Sequence, residues 1–369
     1  MKLTINRETL VPIIERTQGV IENKSTTPVL SNFLLSASEK GLRITGTDLD
    51  TEMSGYIDNT GIEEYGSITI PAKKFADICK SLPADSLLNI YLDAGSLVVK
   101  SARSVFKLTT LPADDFPVLD SINFETRISI PGNTFLDVIN QTSYAMAQHD
   151  VRYYLNGMFL SIEDGVLTTV ATDGHRLACC SMPIGNNKVS EDIKIIIPRK
   201  GVHELSRLLS TDSKIPIELQ LSDNHIRLHN DNIRFTSKLI DGKYPDYKAA
   251  IPANTLHTLD LDRMQIKETL SRVAILSNDK FRGVLLKLTD GTLTIRSNNP
   301  ERETAEETLD VNYTGDDFEV GFNVNYLLDA INNLSGDSIT ILLNGVESST
   351  LIKSPDNPAS LSVVMPVRL

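Results

Sequence analysis

The 369-residue sequence has no tryptophan, three cysteines and no apolar run near the roughly 18 residues that a membrane-spanning helix needs. The cysteines, Cys79, Cys179 and Cys180, are odd in number and two are adjacent, which argues against a disulfide framework and for a reducing compartment. The first residues, MKLTINRETL, alternate and carry charge, unlike a signal peptide. These features predict a cytoplasmic protein without a membrane partner.

Sequence signatures of several enzyme classes are also missing. The sequence contains no G-x-x-x-x-G-K-S/T phosphate loop, no G-x-G-x-x-G fingerprint, no G-x-S-x-G nucleophile elbow and no C-x-x-C pair. His225 and His229 have a metal-like spacing, but they lie in a predicted strand. Four residues of strand separate them by about 13 Å, too far for one ion. We therefore expect neither a metal nor another cofactor.

The composition is that of a folded, acidic protein. Hydrophobic residues make up 41% of the chain, enough for real cores, and the length suggests two or three domains. Acidic residues outnumber basic ones by 48 to 36, giving a formal net charge of −12. This balance argues against a protein that coats nucleic acid through bulk charge, although local basic surfaces remain compatible with it.

The sequence repeats itself three times. An apolar strand followed by a polar turn occurs as LRITGTDLD, LTTVATDGHRL and LTIRSNNPERE, and Asp48, Asp173 and Asn298 align at a spacing of 125 residues. Blocks of strand, helix and strand pair recur around each copy in the same order. A repeat of this kind fixes the architecture. We predict three domains, residues 1–124, 125–253 and 254–369.

Each repeat predicts an α+β fold. Helical segments place apolar residues three and four apart, as in Leu10, Ile13 and Ile14, and the other segments alternate or are β-branched. Asp164-Gly165 and Asp290-Gly291 are typical of hairpin turns. About eight strands and two helices per repeat predict antiparallel sheets with helices on one face.

Three segments are candidates for function. Asp173, His175 and Arg176 could form a catalytic acid/base cluster or a tight turn, and because the other repeats lack the histidine a binding surface is favoured over a reaction. Arg152 with two tyrosines could contact nucleic acid or pack locally. The C-terminal SVVMPVRL could be a last edge strand, the wall of an apolar pocket, or both.

Long motifs carry a specific resemblance. QHDVRYYLNGM (148–158), VATDGHRLA (170–178), IIPRKGV (196–202), AILSNDKFRGV (274–284), NPERETAEE (299–307) and the terminal VVMPVRL together resemble the bacterial DNA polymerase III beta subunit family, the replicative sliding clamps, from residue 1 to 369. The resemblance implies three similar DNA-clamp domains per chain. It also implies a head-to-tail homodimeric ring, with helices lining the hole and antiparallel sheets outside.

The resemblance implies a non-catalytic processivity factor that encircles duplex DNA without sequence specificity. The DNA-contact residues would be Lys24, Lys73, His149, Arg152, Tyr153, Tyr154, Arg199 and Lys200. Two depart from a common family pattern, Lys24 standing for Arg and His149 for Gln, although both can donate to phosphate. In the dimer, basic and apolar residues would face acidic and apolar ones: Lys74, Arg103, Phe106 and Leu108 against Ile275, Leu276, Glu303, Glu306 and Glu307.

Partners are implied in the same way. They are the polymerase III alpha subunit, the clamp loader, and other polymerases and repair proteins, bound through a Gln-Leu-type peptide in an apolar pocket. Arg176 and Arg368 would steer acidic peptide groups, and Ala249, Ala250 and Glu347 depart from the family pattern at the rim. The matching pocket residues are Leu155, Thr172, Gly174, His175, Arg176, Leu177, Pro245, Asn323, Tyr326, Ser349, Val363, Val364, Met365, Pro366, Val367, Arg368 and Leu369.

Two other functions are weighed against the clamp. One is an enzyme that uses Asp173 and His175, for which the sequence offers no nucleophile motif, metal set or cofactor loop. The other is a peptide-binding scaffold of clamp fold that does not encircle DNA. The basic residues that would line the hole and the apolar pair Ile275 and Leu276 argue against this scaffold.

Overall fold

The computed structural model describes residues 1–22, 27–58, 61–119, 122–184, 192–209, 216–253 and 256–368. Lys24 and Leu369, two predicted site residues, lie outside this part of the chain. The chain divides into two compact units. Unit 1 comprises Met1–Gly132 and His203–Leu239, and unit 2 comprises Asn133–Val202 and Ile240–Leu369.

Strands dominate both units, as the alternating sequence pattern predicts. In chain order they are β1 (Lys2–Asn6), β2 (Asn32–Ser38), β3 (Gly41–Thr47), β4 (Thr51–Ile57), β5 (Gly61–Glu64), β6 (Gly66–Pro71), β7 (Leu87–Asp93), β8 (Ser96–Ser101), β9 (Ser104–Thr109), β10 (Thr126–Pro131), β11 (Gly157–Glu163), β12 (Val166–Thr172), β13 (Arg176–Pro183), β14 (Ile193–Pro198), β15 (Pro216–Leu221), β16 (His225–Asn230), β17 (Ile233–Lys238), β18 (His257–Asp262), β19 (Gly283–Thr289), β20 (Thr292–Asn298), β21 (Thr304–Asp310), β22 (Phe318–Asn323), β23 (Ser338–Leu343), β24 (Thr350–Ser354) and β25 (Asn357–Val364).

Helices follow strands without an intervening loop. Each α-helix of the described residues begins at the residue after a strand ends: α1 (Arg7–Gln18), α2 (Ala72–Ser81), α3 (Gly132–Thr142), α4 (Arg199–Leu209), α5 (Arg263–Val273) and α6 (Val324–Asn333). The predicted apolar stripe of α1 is buried at Leu10, Ile13 and Ile14. None of the described helices is long and apolar enough to span a bilayer.

Unit 1 contains two antiparallel sheets. One has the strand order β5-β1-β7-β8-β9, and the other has the order β10-β15-β16-β17-β4-β3-β2-β6. In the larger sheet β17, from the second sequence repeat, pairs with β4, from the first, and Phe235 lies opposite Met53. The eight-stranded sheet therefore takes four strands from each of two successive repeats.

Unit 2 is built in the same way. Its eight-stranded sheet has the order β14-β11-β12-β13-β25-β24-β23-β18, and its four-stranded sheet has the order β21-β20-β19-β22. Here β13 pairs with β25, and Leu177 lies opposite Val363. Of the alternatives for the C-terminal segment, a last edge strand is excluded, because β25 is hydrogen-bonded on one side to β13 and on the other to β24.

Helices α5 and α6 pack on strands of unit 2. Ile266 and Leu270 of α5 and Leu327 and Ile331 of α6 are buried in one cluster with Phe322 of β22. Hairpin turns lie where the sequence predicts them. Asp164 and Gly165 between β11 and β12 have φ of +50° and +74°, as a tight two-residue hairpin turn requires.

The strand register corrects the alignment of the repeats by one residue. Asp48 at the end of β3 accepts from the Thr51 amide, and Asp173 at the end of β12 accepts from the Arg176 amide. In the third repeat the residue that closes the turn in this way is Asn299, which accepts from the Glu303 amide, and not Asn298. The third turn is longer and begins with two asparagines.

Candidate functional site

The turn between β12 and β13 is held by its own side chains. Asp173 Oδ1 accepts from the amides of His175 and Arg176 at 2.9 and 3.0 Å, and Thr172 Oγ1 donates to the Arg176 carbonyl at 2.6 Å. Gly174 has φ of +88°, and a Cβ there would lie 2.9 Å from the Arg152 guanidinium. The Asp173 carboxylate therefore organises a turn, and the geometry gives no support to an Asp173–His175 acid/base pair.

The Arg176 guanidinium joins this turn to α6. It donates to Asp173 Oδ2 at 3.0 Å, to the Tyr144 carbonyl at 3.0 Å and to the Asp329 carboxylate. It also lies over the Tyr326 ring at 4.7 Å from the centroid. These acceptors hold the guanidinium between the turn and α6, so Arg176 has the geometry of a positioning residue. Steering of acidic peptide groups by Arg176 stays a prediction.

An apolar groove of about 220 Å³ lies beside this turn. Its floor is the β13–β25 pair, where Leu177 and Val363 are buried, and half-exposed Met365 forms part of its wall. The lining residues are Thr172, Gly174, Arg176, Leu177, Pro245, Asp246, Tyr247, Ala250, Ser349, Val363 and Met365. Of the predicted pocket residues, eight line this groove: Thr172, Gly174, Arg176, Leu177, Pro245, Ser349, Val363 and Met365.

A hydrophobic core lies beneath the groove. Leu155 is buried there with Val170, Ile196 and Tyr244, so it supports the groove from below and does not line it. Cys179 belongs to the same cluster, while Cys180, the next residue of β13, approaches Gln141. Burial raises the pKa of the Cys179 thiol to about 11 and that of Cys180 to about 12.

Several predicted pocket residues lie elsewhere. Val364 is buried in the cluster with Phe322 and Leu327, because successive strand residues point to opposite faces and Val363 faces the groove. Asn323 caps α6 by accepting from the Asn325 amide at 2.9 Å. Val364 therefore does not line the groove, and the role of Asn323 in peptide binding stays a prediction.

The C-terminal tail, residues 365–368, separates the groove from a second one. The Met365 amide donates to the His175 carbonyl and the Val367 amide to the Gly321 carbonyl, both at 2.8 Å. Pro366 lies between these two anchors. Val367 and Arg368 line the second groove, of about 480 Å³, together with exposed Phe281.

A polar cleft of about 420 Å³ lies on the other side of the turn. It brings His175 and Tyr326, predicted for the pocket, together with His149 and Arg199, predicted for DNA contact. The His175 and Tyr326 rings stack with 6.3 Å between centroids, and Arg199 donates to the Met146 carbonyl at 2.9 Å. Arg176 lines both this cleft and the apolar groove.

The loop before β11 carries the arginine and its two tyrosines. Asp150 accepts from Arg152 Nε and Nη2 at 3.0 and 2.9 Å, and these hydrogen bonds lower the pKa of the Asp150 carboxyl to about 2. Tyr153 is exposed and Tyr154 packs against the core under the groove. Local packing therefore applies to Tyr154, and contact of Tyr153 with nucleic acid stays a prediction. Lys73 on α2 is exposed and Lys200 on α4 is half-buried.

The predicted dimer residues lie on one edge strand and its surroundings in each unit. In unit 1, Arg103 and Lys74 are exposed, Phe106 is half-buried and Leu108 is buried. In unit 2, Ile275 is 75% exposed and Leu276 is half-buried. The Glu303 carboxylate accepts a hydrogen bond from the Asn299 side-chain amide. Glu306 pairs with Arg296, and Glu307 with Arg272.

The junction equivalent to the groove is sealed in unit 1. Glu52 of β4 holds the place of Leu177 in β13, since Thr47 and Thr172 are their respective partners. The Glu52 carboxylate is 1% exposed and accepts from the Leu119 amide at 2.8 Å and from Arg234 at 3.3 Å. Arg227 donates to the Leu119 carbonyl at 2.8 Å, so the end of the first repeat is tied over this junction.

Metal chemistry finds no support in the part of the chain that the structure describes. No group of three or more His, Cys, Asp or Glu side chains there could hold an ion. His225 and His229 lie on the single strand β16, as predicted, at a separation unsuitable for a shared ion.

The sequence analysis did not name Asp246 and Tyr247 as groove residues. Both lie in the segment YPDYK, which takes the place of FPVL in the first repeat.

Three helix-backed antiparallel repeats, two of whose sheets run from one repeat into the next, define a clamp-type fold. Models of the DNA polymerase III beta subunit match in chain order: the N-terminal domain over residues 1–120, the central domain over 129–246 and the C-terminal domain over 248–368. The chain belongs to the bacterial DNA polymerase III beta subunit family. It is a DNA sliding clamp and polymerase processivity factor, with DNA and a DNA polymerase as its kinds of partner, and not an enzyme.

Similarity extends over the whole chain. The beta sliding clamps of Pseudomonas aeruginosa and Escherichia coli K12 are 45% and 44% identical over 369 residues, covering 100% of both chains in each case. Crystal structures of the DNA polymerase III subunit beta from P. aeruginosa and of pol III beta from Caulobacter crescentus superpose with TM-scores of 0.96 and 0.95. These structures share 45% and 36% sequence identity with this chain and cover both chains completely. The α+β fold class predicted from the sequence is confirmed.

Proposed function

We propose that this chain forms a head-to-tail homodimeric ring that encircles duplex DNA and tethers its partners through the apolar groove beside β13 and β25. The domains would be residues 1–124, 125–253 and 254–369. The partners would be the polymerase III alpha subunit, the clamp loader, and other polymerases and repair proteins that carry a clamp-binding peptide, all in the cytoplasm.

One observation supports the ring most directly. Strands of successive repeats pair at two junctions within the chain, and the two strands that would form an equivalent third junction lie at sheet edges. Each repeat contains a set of three consecutive strands: β7-β8-β9, β15-β16-β17 and β23-β24-β25. In two of these sets the last strand pairs with a strand of the preceding repeat. β17 pairs with β4 and β25 pairs with β13. Among the described residues β9 pairs only with β8, and β21, the equivalent of β4 and β13, pairs only with β20.

A second copy can supply the missing pairing. Joining β9 of one copy to β21 of the next repeats the geometry already used inside each unit. Such a contact is heterologous, and it gives a ring if the rotation closes. It also covers two exposed strand edges, which otherwise invite uncontrolled association.

The same equivalence gives the register of that pairing. Phe235 lies opposite Met53 in the β17–β4 pair. Phe106 holds the place of Phe235 next to a two-residue turn, and Ala305 holds the place of Met53. Phe106 of one copy would then lie opposite Ala305 of its partner.

Apolar contacts would supply most of the free energy of this interface. Ile275 and Val105 are both more than half exposed, and Phe106 is half-buried. The charges are complementary, basic around β9 and acidic along β21. Because Glu306 and Glu307 already pair within their own chain, ion pairs across the interface would add little, while buried apolar anchors dominate.

Weak, sequence-independent phosphate contacts suit a ring that slides. We propose that Lys24, Lys73, His149, Arg152, Tyr153, Tyr154, Arg199 and Lys200 supply them. The Arg152 guanidinium is bound to Asp150, which reduces the net charge of its loop. Retention on DNA would then come from encirclement and not from affinity.

The first test is retention on circular DNA. The protein is loaded onto nicked circles with a clamp loader and ATP, free protein is removed, and half of the sample is linearised. We expect retention on circles and loss from linear DNA, and no retention of Leu276→Asp, which we expect to be monomeric. Equal retention on both DNA forms would contradict encirclement.

The second test is the register. We expect Phe106→Cys combined with Ala305→Cys to form an intermolecular disulfide, because directly opposed strand residues have Cβ atoms about 4.5–5.5 Å apart. The matched control combines Phe106→Cys with Glu306→Cys, one residue out of register. Efficient cross-linking of the control alone, read as dimer on a denaturing gel, would contradict the proposed pairing.

A further inference from the structure

We propose that Glu347 sets the charge preference of the apolar groove. By pairing with Arg368 at the rim, it withholds that guanidinium from acidic residues of a bound peptide. This inference rests on the proposed peptide-binding role of the groove and adds the class of peptide that it prefers, neutral over acidic in the residues that flank the apolar motif.

Among the described residues that line the groove, no cation is without a carboxylate partner. The lining contains Arg176 and Asp246 as its charged residues. The Arg176 guanidinium is bound to the carboxylates of Asp173 and Asp329, so that this cluster carries one excess negative charge. A bound acidic peptide would have to draw its attraction from the rim.

The tail fixes where the rim charge lies. Met365 lines the groove, and the hydrogen bonds of the Met365 and Val367 amides hold the backbone up to the residue before Arg368. Arg368 lines the neighbouring groove with Phe281, so a peptide that extends over the tail from one groove to the other passes its guanidinium.

The loop between β23 and β24 brings Glu347 to the same place. Ser349 Oγ in this loop donates to the Ala250 carbonyl at 3.4 Å, which ties the loop to the groove wall, and Glu347 forms an ion pair with Arg368. The side chains are 70% and 90% exposed, so the pair adds little to stability. Exposed charges at a rim act instead on which ligands bind and how fast.

Replacing Glu347 by glutamine leaves one positive charge at the rim where there was none. Two opposite charges several ångströms apart near a protein surface change a binding constant by about threefold to tenfold at low ionic strength. A neutral peptide would gain nothing from the substitution. The ratio of affinities for the two peptides is therefore the quantity that Glu347 controls.

The test is fluorescence anisotropy with two labelled peptides that share a Gln-Leu-type motif. One has glutamines on both sides of the motif and the other has glutamates. We expect Glu347→Gln to strengthen binding of the acidic peptide by about threefold to tenfold and to leave the neutral peptide within about twofold. The gain should disappear in the double variant Glu347→Gln with Arg368→Gln, and shrink at 0.5 M salt.

The control variant is Asp290→Asn, an exposed turn residue on the β19–β20 hairpin, which should change neither affinity. Binding of both peptides with an unchanged ratio in Glu347→Gln would overturn this inference and leave the proposed function intact. Failure of the unsubstituted protein to bind either peptide would overturn the proposed function of the groove, and the inference with it.

Discussion

The two strand junctions inside this chain have the same pairing and opposite surfaces. At the β17–β4 junction a buried carboxylate, Glu52, receives the Leu119 amide and closes the chain over the sheet. At the β13–β25 junction the same position is Leu177, and an apolar groove stays open beside it. A repeated fold thus offers an equivalent junction more than once, and one side chain together with the linker it holds decides whether that junction is closed or carries an open groove.

The largest effect should come from opening the sealed junction. Glu52→Ala removes the acceptor of the Leu119 amide and of Arg234, and losing a buried, hydrogen-bonded charge costs about 3 kcal/mol of unfolding free energy. Urea unfolding measures the loss, with exposed Glu39→Ala as control. Hydrogen exchange at the Leu119 amide should speed up, and unchanged protection there would contradict the sealing role.

The open junction depends on a different side chain. Arg176→Gln removes the guanidinium from Asp173, Asp329 and the Tyr144 carbonyl, and should lower the stability of unit 2 by about 2 kcal/mol. Thermal unfolding is the measurement. Arg368→Gln, at an exposed pair, should cost less than about 0.5 kcal/mol. Equal effects of the two substitutions would show that Arg176 holds nothing in place.

The turns beside the two junctions differ in strain. Leu49 has φ of +79° at the place that Gly174 occupies with φ of +88°. A left-handed conformation is costly for a leucine and free for glycine, so Leu49→Gly should stabilise unit 1 by about 1 kcal/mol. Leu49→Ala keeps the strain and is the matched control. Destabilisation by Leu49→Gly in urea unfolding would contradict this explanation.

Acid should weaken unit 1 through two histidines of β16. Burial and nearby Arg227 lower the pKa of His229 on β16, and burial and Lys238 lower that of His225. In the unfolded chain both histidines therefore bind protons near their ordinary pKa of 6.5, and in the folded protein they do so only at lower pH. The unfolded state thus gains protons before the folded state, and stability falls as pH drops from 7 to 5. His229→Gln should flatten this dependence. In the second junction burial raises the pKa of Tyr144 to about 12, so it does not titrate in this range.

The sequence predicts what is local and repeated. Helix stripes and hairpin turns follow from periodicity and turn chemistry, and the structure has the apolar stripe of α1 and the Asp164-Gly165 turn at the expected residues. The third copy is misaligned by one residue because its turn begins with Asn298-Asn299, and either asparagine can cap it. Strand alternation predicts that Val363 and Val364 face opposite sides of β25. Because Val363 faces the groove, alternation alone excludes Val364 from it.

Contacts between distant residues could not be predicted in this way. Arg176 meets Asp329 across 153 residues of sequence, and contacts such as the pairing of β13 with β25 and the Tyr144–Ser362 hydrogen bond bring their repeats together. Nothing in the repeat alignment distinguishes a guanidinium that is available to a ligand from one that is already bound. Tyr247, a residue of the linker, lines the groove because of the path that the chain takes, and no sequence motif predicts this position.

The two adjacent cysteines of β13 have a practical consequence for chemical work on this protein. Their side chains leave the strand on opposite faces, so they cannot join to each other, and burial keeps both thiols protonated at neutral pH. Cys79 is buried as well, and burial raises its pKa to about 12. A cysteine introduced on the surface would be the preferred target of a thiol-reactive dye or cross-linker. Site-specific labelling would therefore not require replacement of the three native cysteines.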